Sequence, residues 1–489
     1  MQIYLYNSLS RAVDKFTPIK ENLARIYSCG PTVYNYAHIG NMRAFLFADL
    51  LQRVMRVVGA FDLQWVMNIT NIDDKTIRDS QLGSELWKKE MGEQSDSPLE
   101  NLLKLTKYYE EEFLKDLSLL GLDLKHFYAM PKATDYIEQM QNLIRSIYDN
   151  GFAYISNGSI YFNLMKWHKQ DRYGKLFNID FEHFKAGVRI DSDQYEREQA
   201  NDFALWKARK EGEPFWEFKL GGENCDGRPG WHIECSAMSA ELLGVPFDIH
   251  TGGVDLKFPH HEDEIAQSKA GYGLDPVVLW CHNEFLEVEG AKMSKSAGNF
   301  FTLRDLIEKG LDPIDIRFAV LSAHYSSVFN FTFDGVEASR KARLRVQDYI
   351  YSLFEALSND ELSNSLQSDL IIALRKEIFS HLANNLHTPK ALATLFSWLN
   401  NHTVQDLTNE EKADLIKLFS ELNGIFAAWK IQRQTKESSI PKEIRDLAEL
   451  RLKARREKNF EESDILRKKI IELGYSIKDS KDSYTIEKL

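Results

Sequence analysis

Cysteine is scarce in this chain: only Cys29, Cys225, Cys235 and Cys281 occur among 489 residues. That excludes a disulfide framework and points to a reducing compartment, in which one or two thiolates stay available for metal ligation. Long apolar runs are also missing, and no uninterrupted stretch approaches the roughly 20 residues that a membrane span needs. The ends carry no charged-then-apolar signal, so the expectation is a cytoplasmic protein with no membrane partner. Positive charge falls short of negative, 61 Lys and Arg against 73 Asp and Glu, for a formal net charge of -12. Such a balance argues against indiscriminate nucleic-acid binding but permits a local basic patch. Internal repeats and low-complexity tracts are absent. With 43% hydrophobic residues the chain can bury substantial cores, and its length suggests about three or four domains.

Among the patterns present, "ARIYSCGPTVY" from Ala24 predicts a strand that runs into a glycine and proline turn. "NMRAFLFADLLQRVMRVVG" then has apolar residues at helical spacing up to Gly59, and "DLQWVMNIT" predicts a second strand. Strand, turn, helix and strand at this spacing make a βαβ unit, whose ligand crevice lies at the carboxyl ends of the strands. The α/β pattern resumes with "PFDIHTGG", a helix over "FPHHEDEIAQS", the strand "PVVLWCHN" and the loop "VEGAKMSKSAGNF". Between the two halves, residues from about 98 to 150 read as helical and 151 to 218 as short strands with aromatic, charged loops. From about Ser339 to Gln434 the pattern is almost wholly helical, and a polar linker leads to a basic helix and a candidate hairpin.

Two short motifs carry chemistry. "HIGN", His38 to Asn41, sits at a helix start, where backbone N–H groups and the helix dipole attract phosphate. By itself it reads equally as a glycine turn with a polar cap. "KMSKS", Lys292 to Ser296, lies between Gly290 and Gly298, so Lys292 and Lys295 ride on a loop that can move over a ligand and neutralise charge on a triphosphate. One motif on each half of a split α/β unit makes coincidence a poor explanation.

"HIGN" and "KMSKS" resemble the two signatures of class I aminoacyl-tRNA synthetases. Together with "CGPTVY", "MNITNIDDK", "GRPGWHIECSAM" and "FPHHEDEIAQS", they resemble the cysteinyl-tRNA synthetase family over about residues 22 to 331. Two positions depart from that pattern: Asn41 stands where the first signature usually ends in histidine, and Asn71 where aspartate is frequent. Asn41 still offers a donor to phosphate but cannot be a cation.

The resemblance implies an α/β, Rossmann-like catalytic domain with an inserted connective domain, followed by an α-helical bundle and a small anticodon-binding domain. The expected divisions are 1–125 and 219–300 for the two catalytic halves, 126–218 for the insertion, 301–338 for a stem-contact segment, 339–434 for the bundle and 440–489 for the last domain. It implies L-cysteine, ATP with Mg²⁺ and tRNA(Cys) as partners, and a monomer. Zinc is the implied cofactor, with Cys29, Cys235, His260 and Glu264 as its ligands. Spacing alone does not assign them, because no compact C-x-x-C knuckle exists, although His260 and Glu264 share a helix face. Zinc prefers thiolate, which would separate cysteine from serine where a hydrophobic pocket discriminates poorly.

By the same resemblance His38, Gly40, Asn41, Lys292, Ser294 and Lys295 hold ATP, and His38, Asn41, Lys292 and Lys295 are catalytic. Asp255, which follows a glycine pair after a strand, suits a ribose hydroxyl of ATP or an α-amino group, and the resemblance places Gly30, Thr32, Trp231 and His250 in the cysteine pocket, where His232 is a further candidate. His261 faces either the pocket or a strand, while Glu262 and Asp263 are expected to face solvent. Arg451, Lys453, Arg455, Arg456, Lys458, Arg467, Lys468 and Lys469 form either a solvated face or part of an RNA-binding surface. Two rivals remain: a ligase delivering activated cysteine to an amino-sugar, and a non-catalytic RNA-binding paralogue.

Overall fold

Four parallel strands, Leu23–Ser28, Asp62–Met67, Phe247–Gly253 and Val277–Asn283, form the central sheet, in the spatial order fourth, third, first, second. The computed structural model describes residues 1–177, 202–293, 298–357, 366–434, 441–456, 459–479 and 484–488. A parallel sheet is covered on both faces, so its strands are apolar throughout rather than alternating with polar residues. Register decides which residues share a face. The row Leu279, Ile249, Ile26 and Trp65 packs into the core that contains the helix Ile39–Val57. One residue further along, the row Trp280, His250, Tyr27 and Val66 faces the opposite way, towards the helices Trp231–Leu243 and His260–Tyr272. A histidine in that second row, His250, is the first sign that this face carries more than packing.

Between the second and third strands the chain builds an antiparallel sheet from Gly227–Pro229, Phe203–Ala208, Ser159–Phe162 and Ala153–Ser156, paired in that order. The long helices Phe333–Ala356, Asp369–Ala383, Thr388–Asn401 and Asn409–Phe426 bury their apolar faces in the same core as the helix Ile39–Val57. A polar knot joins them. Asp49 and Arg317 are both fully buried, and Asp49 Oδ2 accepts from Arg317 Nη2 at 2.6 Å and from Arg53 Nε at 2.8 Å. The two guanidinium groups also donate to the carbonyls of Leu120, Gly121, Gly424 and Phe426. The C-terminal helices Lys442–Arg456 and Phe460–Glu472 and the hairpin Tyr475–Asp479 with Tyr484–Lys488 close a separate small core around Ile444, Ala448, Ile470 and Ile477. Among the described residues no helix is long and apolar enough to cross a membrane.

Candidate active site

The strand order reverses between Leu23–Ser28 and Phe247–Gly253, and open parallel sheets bind ligands in the crevice at such a switch point. Cys29 and Gly30 leave the first of these strands, and Asp255 follows the second. Gly30 donates its N–H to Asn68 Oδ1 at 2.9 Å. A Cβ added there would lie 1.7 Å from the Asn68 carbonyl oxygen, so backbone meets backbone and only glycine fits. Gly30→Ala is expected to destabilise by at least about 1–3 kcal/mol, the usual range for overpacking, in a urea melt. An unchanged melting midpoint would show that the two strand ends can separate freely. Thr32 bridges to Thr70 across the same gap.

His38 caps the 19-residue helix Ile39–Val57. Its Nδ1 accepts the Asn41 N–H at 3.2 Å, and Asn41 Oδ1 accepts the His38 N–H at 3.3 Å. This reciprocal cap fixes the chemistry of both side chains. With Nδ1 accepting, the neutral His38 ring carries its proton on Nε2, and Asn41 keeps its Nδ2 amide as a donor. Burial lowers the His38 pKa to about 4, so the ring is a neutral donor at neutral pH and not a cation. Because that value lies below the ordinary 6.5, His38 costs no stability above 6.5 and destabilises as pH falls from 6.5 towards 4.

The lysine loop begins beside this cap. Ala291–Lys292 pairs antiparallel with Leu286–Val288, and Gly290 and Gly298 both take positive φ at either end of the loop. Met293 reaches Gly40, where an added Cβ would meet its methyl carbon at 2.5 Å. After the loop, the Phe300 ring packs edge-on to His38 at 4.9 Å, and the Ile39 N–H donates to the Phe301 carbonyl at 3.0 Å. The two signature motifs therefore touch. Lys292 is exposed, and its charge opposes the rise that desolvation imposes on the Asp255 carboxyl. Ser294 and Lys295 lie outside the described residues, as does Lys458 of the basic helix.

On the other face of the sheet, thiols, imidazoles and a carboxylate converge. Donor atoms of Cys29, His260, His261 and Glu264 all lie within 4.8 Å of one another. Cys235, on the helix Trp231–Leu243, places its sulfur 3.9 Å from that of Cys29. Glu264 Oε1 is 3.2 Å from His260 Nε2 and its Oε2 3.0 Å from His250 Nε2. The Trp231 ring stacks on His260, with centroids 4.3 Å apart. Burial first, and then the neighbouring Cys235 thiol, push the Cys29 pKa well above its ordinary value. Burial first, and then the same two sulfurs, raise the pKa of Tyr27 in the sheet row beneath. Two soft sulfurs, imidazole nitrogens and one carboxylate at these separations are a donor set that suits zinc.

The helix His260–Tyr272 corrects one expectation. Glu262 and Asp263 do not face solvent: they are 1% and 0% exposed. Glu262 accepts the backbone N–H groups of Gly174, Lys175 and Leu176, and Asp263 accepts the Tyr173 hydroxyl. Segment 173–177, between the insertion's strands in sequence, covers the side of the helix that amphipathic reasoning leaves to water. Pro259 occupies the N-cap of this helix. His261 faces the pocket, with its Nε2 3.2 Å from the Cys29 sulfur. Its Nδ1 lies 2.8 Å from His282 Nε2, and His282 Nδ1 in turn lies 2.8 Å from Ser8 Oγ. Sequence reasoning did not select His282 or Ser8, and no local motif marks either. Gly252 is a neglected signal, since a Cβ there would approach the His261 ring to 2.7 Å.

This sheet, its switch-point crevice and its two touching signature loops define the class I aminoacyl-tRNA synthetase fold. Methionyl-tRNA synthetase of Mycobacterium tuberculosis, in complex with methionyl-adenylate, superposes with a TM-score of 0.57 at 12% identity, covering 83% of this chain and 92% of that one. A putative arginyl-tRNA synthetase from Campylobacter jejuni gives 0.53 at 15% identity, over 85% and 95%. In sequence, the family described as tRNA synthetases class I (C) catalytic domain matches residues 15–341. A cysteine–tRNA ligase of Brachyspira hyodysenteriae is 42% identical over 98% of both chains, and one of Leptospira interrogans is 39% identical over 99% of this chain and 98% of its own. The chain belongs to the cysteine family of class I tRNA synthetases.

Proposed function

We propose that this protein joins L-cysteine to tRNA(Cys) in two steps driven by ATP. In the first, a carboxylate oxygen of cysteine attacks the α-phosphorus of ATP, and pyrophosphate leaves. In the second, a hydroxyl at the 3′ end of the tRNA attacks the carbonyl carbon of the adenylate, and AMP leaves. The observation that carries this reading is the convergence, at one sheet switch point, of the His38–Asn41 helix start, the lysine loop and the thiol–imidazole cluster.

The protein mainly positions and neutralises. His38 Nε2–H and the Asn41 amide donate to phosphate oxygens at the positive end of a long helix dipole, with Gly40 allowing close approach. Lys292 and Lys295 neutralise charge on the leaving pyrophosphate, Ser294 donates to it, and Mg²⁺ accompanies ATP. Asp255 is suited to the ribose hydroxyls. Gly30, Thr32, Trp231 and His250 line the cysteine pocket, with Trp231 and His250 packed directly against the proposed ligands His260 and Glu264. Cys29, Cys235, His260 and Glu264 would hold zinc, and the nearness of His261 to Cys29 makes it the alternative fourth donor. When bound, zinc would favour the thiolate of substrate cysteine over the neutral hydroxyl of serine.

The insertion, 126–218, is suited to the acceptor end of the tRNA. Residues 440–489 are suited to the anticodon: Lys453, Arg467, Lys468 and Lys469 are exposed there, and so is Phe460, an aromatic 63% exposed. Arg451 is buried and belongs to the packing of that domain. A monomer suffices for this chemistry.

The test is cysteine-dependent ATP–pyrophosphate exchange followed by charging of purified tRNA(Cys). Exchange without charging would favour the amino-sugar ligase, and neither activity would favour the RNA-binding paralogue. Lys295→Ala is expected to slow exchange by about 10²–10³-fold, the usual loss for one positioned charge donor, with little change in cysteine affinity. An unchanged exchange rate would remove Lys295 from the mechanism.

A further inference from the structure

Behind His260 stands a line of side chains that the reaction above does not use. His260 Nδ1 lies 2.8 Å from His232 Nδ1, with both rings buried. On the far side of the second ring, His232 Nε2 lies 3.4 Å from Asp263 Oδ2. The other oxygen of Asp263 accepts the hydroxyl of Tyr173. Tyr173 belongs to the segment that Glu262 holds through three backbone N–H groups, so this line runs from the edge of the insertion to a proposed metal ligand.

Two imidazole nitrogens at 2.8 Å share one proton, so one ring donates and the other accepts. Each outer nitrogen faces a carboxylate, Asp263 Oδ2 at 3.4 Å from His232 Nε2 and Glu264 Oε1 at 3.2 Å from His260 Nε2. With His260 Nε2 and Glu264 given to the metal, only the Asp263 end is left to favour a proton, on His232 Nε2. A neutral His232 then has its lone pair on Nδ1, where it accepts the Nδ1–H of His260. His260 is left with its lone pair on Nε2, the nitrogen 3.2 Å from Glu264 Oε1. We infer that Tyr173, Asp263 and His232 are positioning residues that lock His260 in its Nδ1–H form and present Nε2 to the metal. The inference rests on the proposed metal role of His260. It extends that role to the insertion, which through Tyr173 sets the ring that meets the ion. Partners that orient a ligating histidine affect metal affinity even though they never touch the metal.

The first test needs no substitution. In full-length, Zn²⁺-loaded protein labelled with ¹⁵N-histidine, His232 should show a protonated Nε2 and a bare Nδ1, and the reverse assignment would overturn the relay. The second is Zn²⁺ affinity, measured by competition with a chromophoric chelator. Asp263→Ala should bind Zn²⁺ about 10–100-fold more weakly than the unmodified protein. Asp263→Asn should stay close to the unmodified value, because its amide oxygen can take the place of Oδ2 beside His232 Nε2. Equal affinity in the alanine variant would also refute the relay. If the unmodified protein binds no Zn²⁺, the metal reading itself fails, whereas Zn²⁺ binding with the reverse tautomer or with unchanged affinity in the alanine variant fails the relay alone.

Discussion

Stripped of metal by a strong chelator, the protein is expected to lose cysteine-dependent ATP–pyrophosphate exchange by roughly 10³-fold, about 4 kcal/mol of transition-state stabilisation, while still binding ATP. The reason lies in how the two halves of the site are built. The proposed phosphate-binding half is the cap of the helix Ile39–Val57 and the lysine loop, on the face opposite the thiol–imidazole cluster, and the cap's hydrogen bonds run between His38 and Asn41. The proposed amino-acid half is different: donor atoms of Cys29, His260, His261 and Glu264 lie within 4.8 Å of one another, with the Cys235 sulfur 3.9 Å from that of Cys29, and a metal held there would meet a substrate thiol. Restoring Zn²⁺, but not Mg²⁺, should restore exchange, because thiolate and imidazole donors suit the softer ion. Cys29→Ala should reproduce the loss without a chelator. Full exchange in protein verified to be metal-free, or activation of serine nearly as fast as cysteine by the zinc-loaded protein, would rule out the metal as the basis of selectivity.

Asp49→Ala is expected to destabilise the fold by about 3–5 kcal/mol, the range for removing one partner of a buried ion pair. Two guanidinium groups, Arg53 and Arg317, would be left in the core without their shared carboxylate. Their remaining carbonyl acceptors, Leu120, Gly121, Gly424 and Phe426, satisfy hydrogen bonds but do not neutralise charge. Burial alone would raise the Asp49 carboxyl, but Arg317 and Arg53 outweigh it and hold the pKa below the ordinary 3.8. The carboxylate's contribution is therefore fully present above 3.8 and is lost as pH falls through the lower folded value. A urea melt at neutral pH checks the magnitude. A shift under 1 kcal/mol, well below the range for such a pair, would mean that water reaches the knot once the carboxylate is removed. Since the knot joins the signature helix to the helical bundle, the same variant should also lower exchange activity at temperatures near its melting midpoint.

The sequence by itself determined the local elements and the chemistry they carry. Apolar runs and helical periodicity predict the four central strands and the helices on either side of the sheet, because burial imposes those patterns wherever the elements lie in space. The HIGN and KMSKS motifs could be read because helix-start and loop chemistry is local: His38 and Asn41 satisfy each other within four residues. Tertiary structure alone decided which distant side chains face one another. His282 and Ser8, 274 positions apart, meet because the N-terminal segment runs beside the fourth strand, and no periodicity encodes that neighbour. Asp263 and Glu262 illustrate the same limit. Acidic residues in a first helical turn suit the helix dipole whether exposed or buried, so their burial became visible only when segment 173–177 was seen covering them. The spacing of His260 and Glu264 on one helix face was legible, but the His232 ring 2.8 Å from His260 comes from another helix, brought there by packing side by side on one face of the sheet.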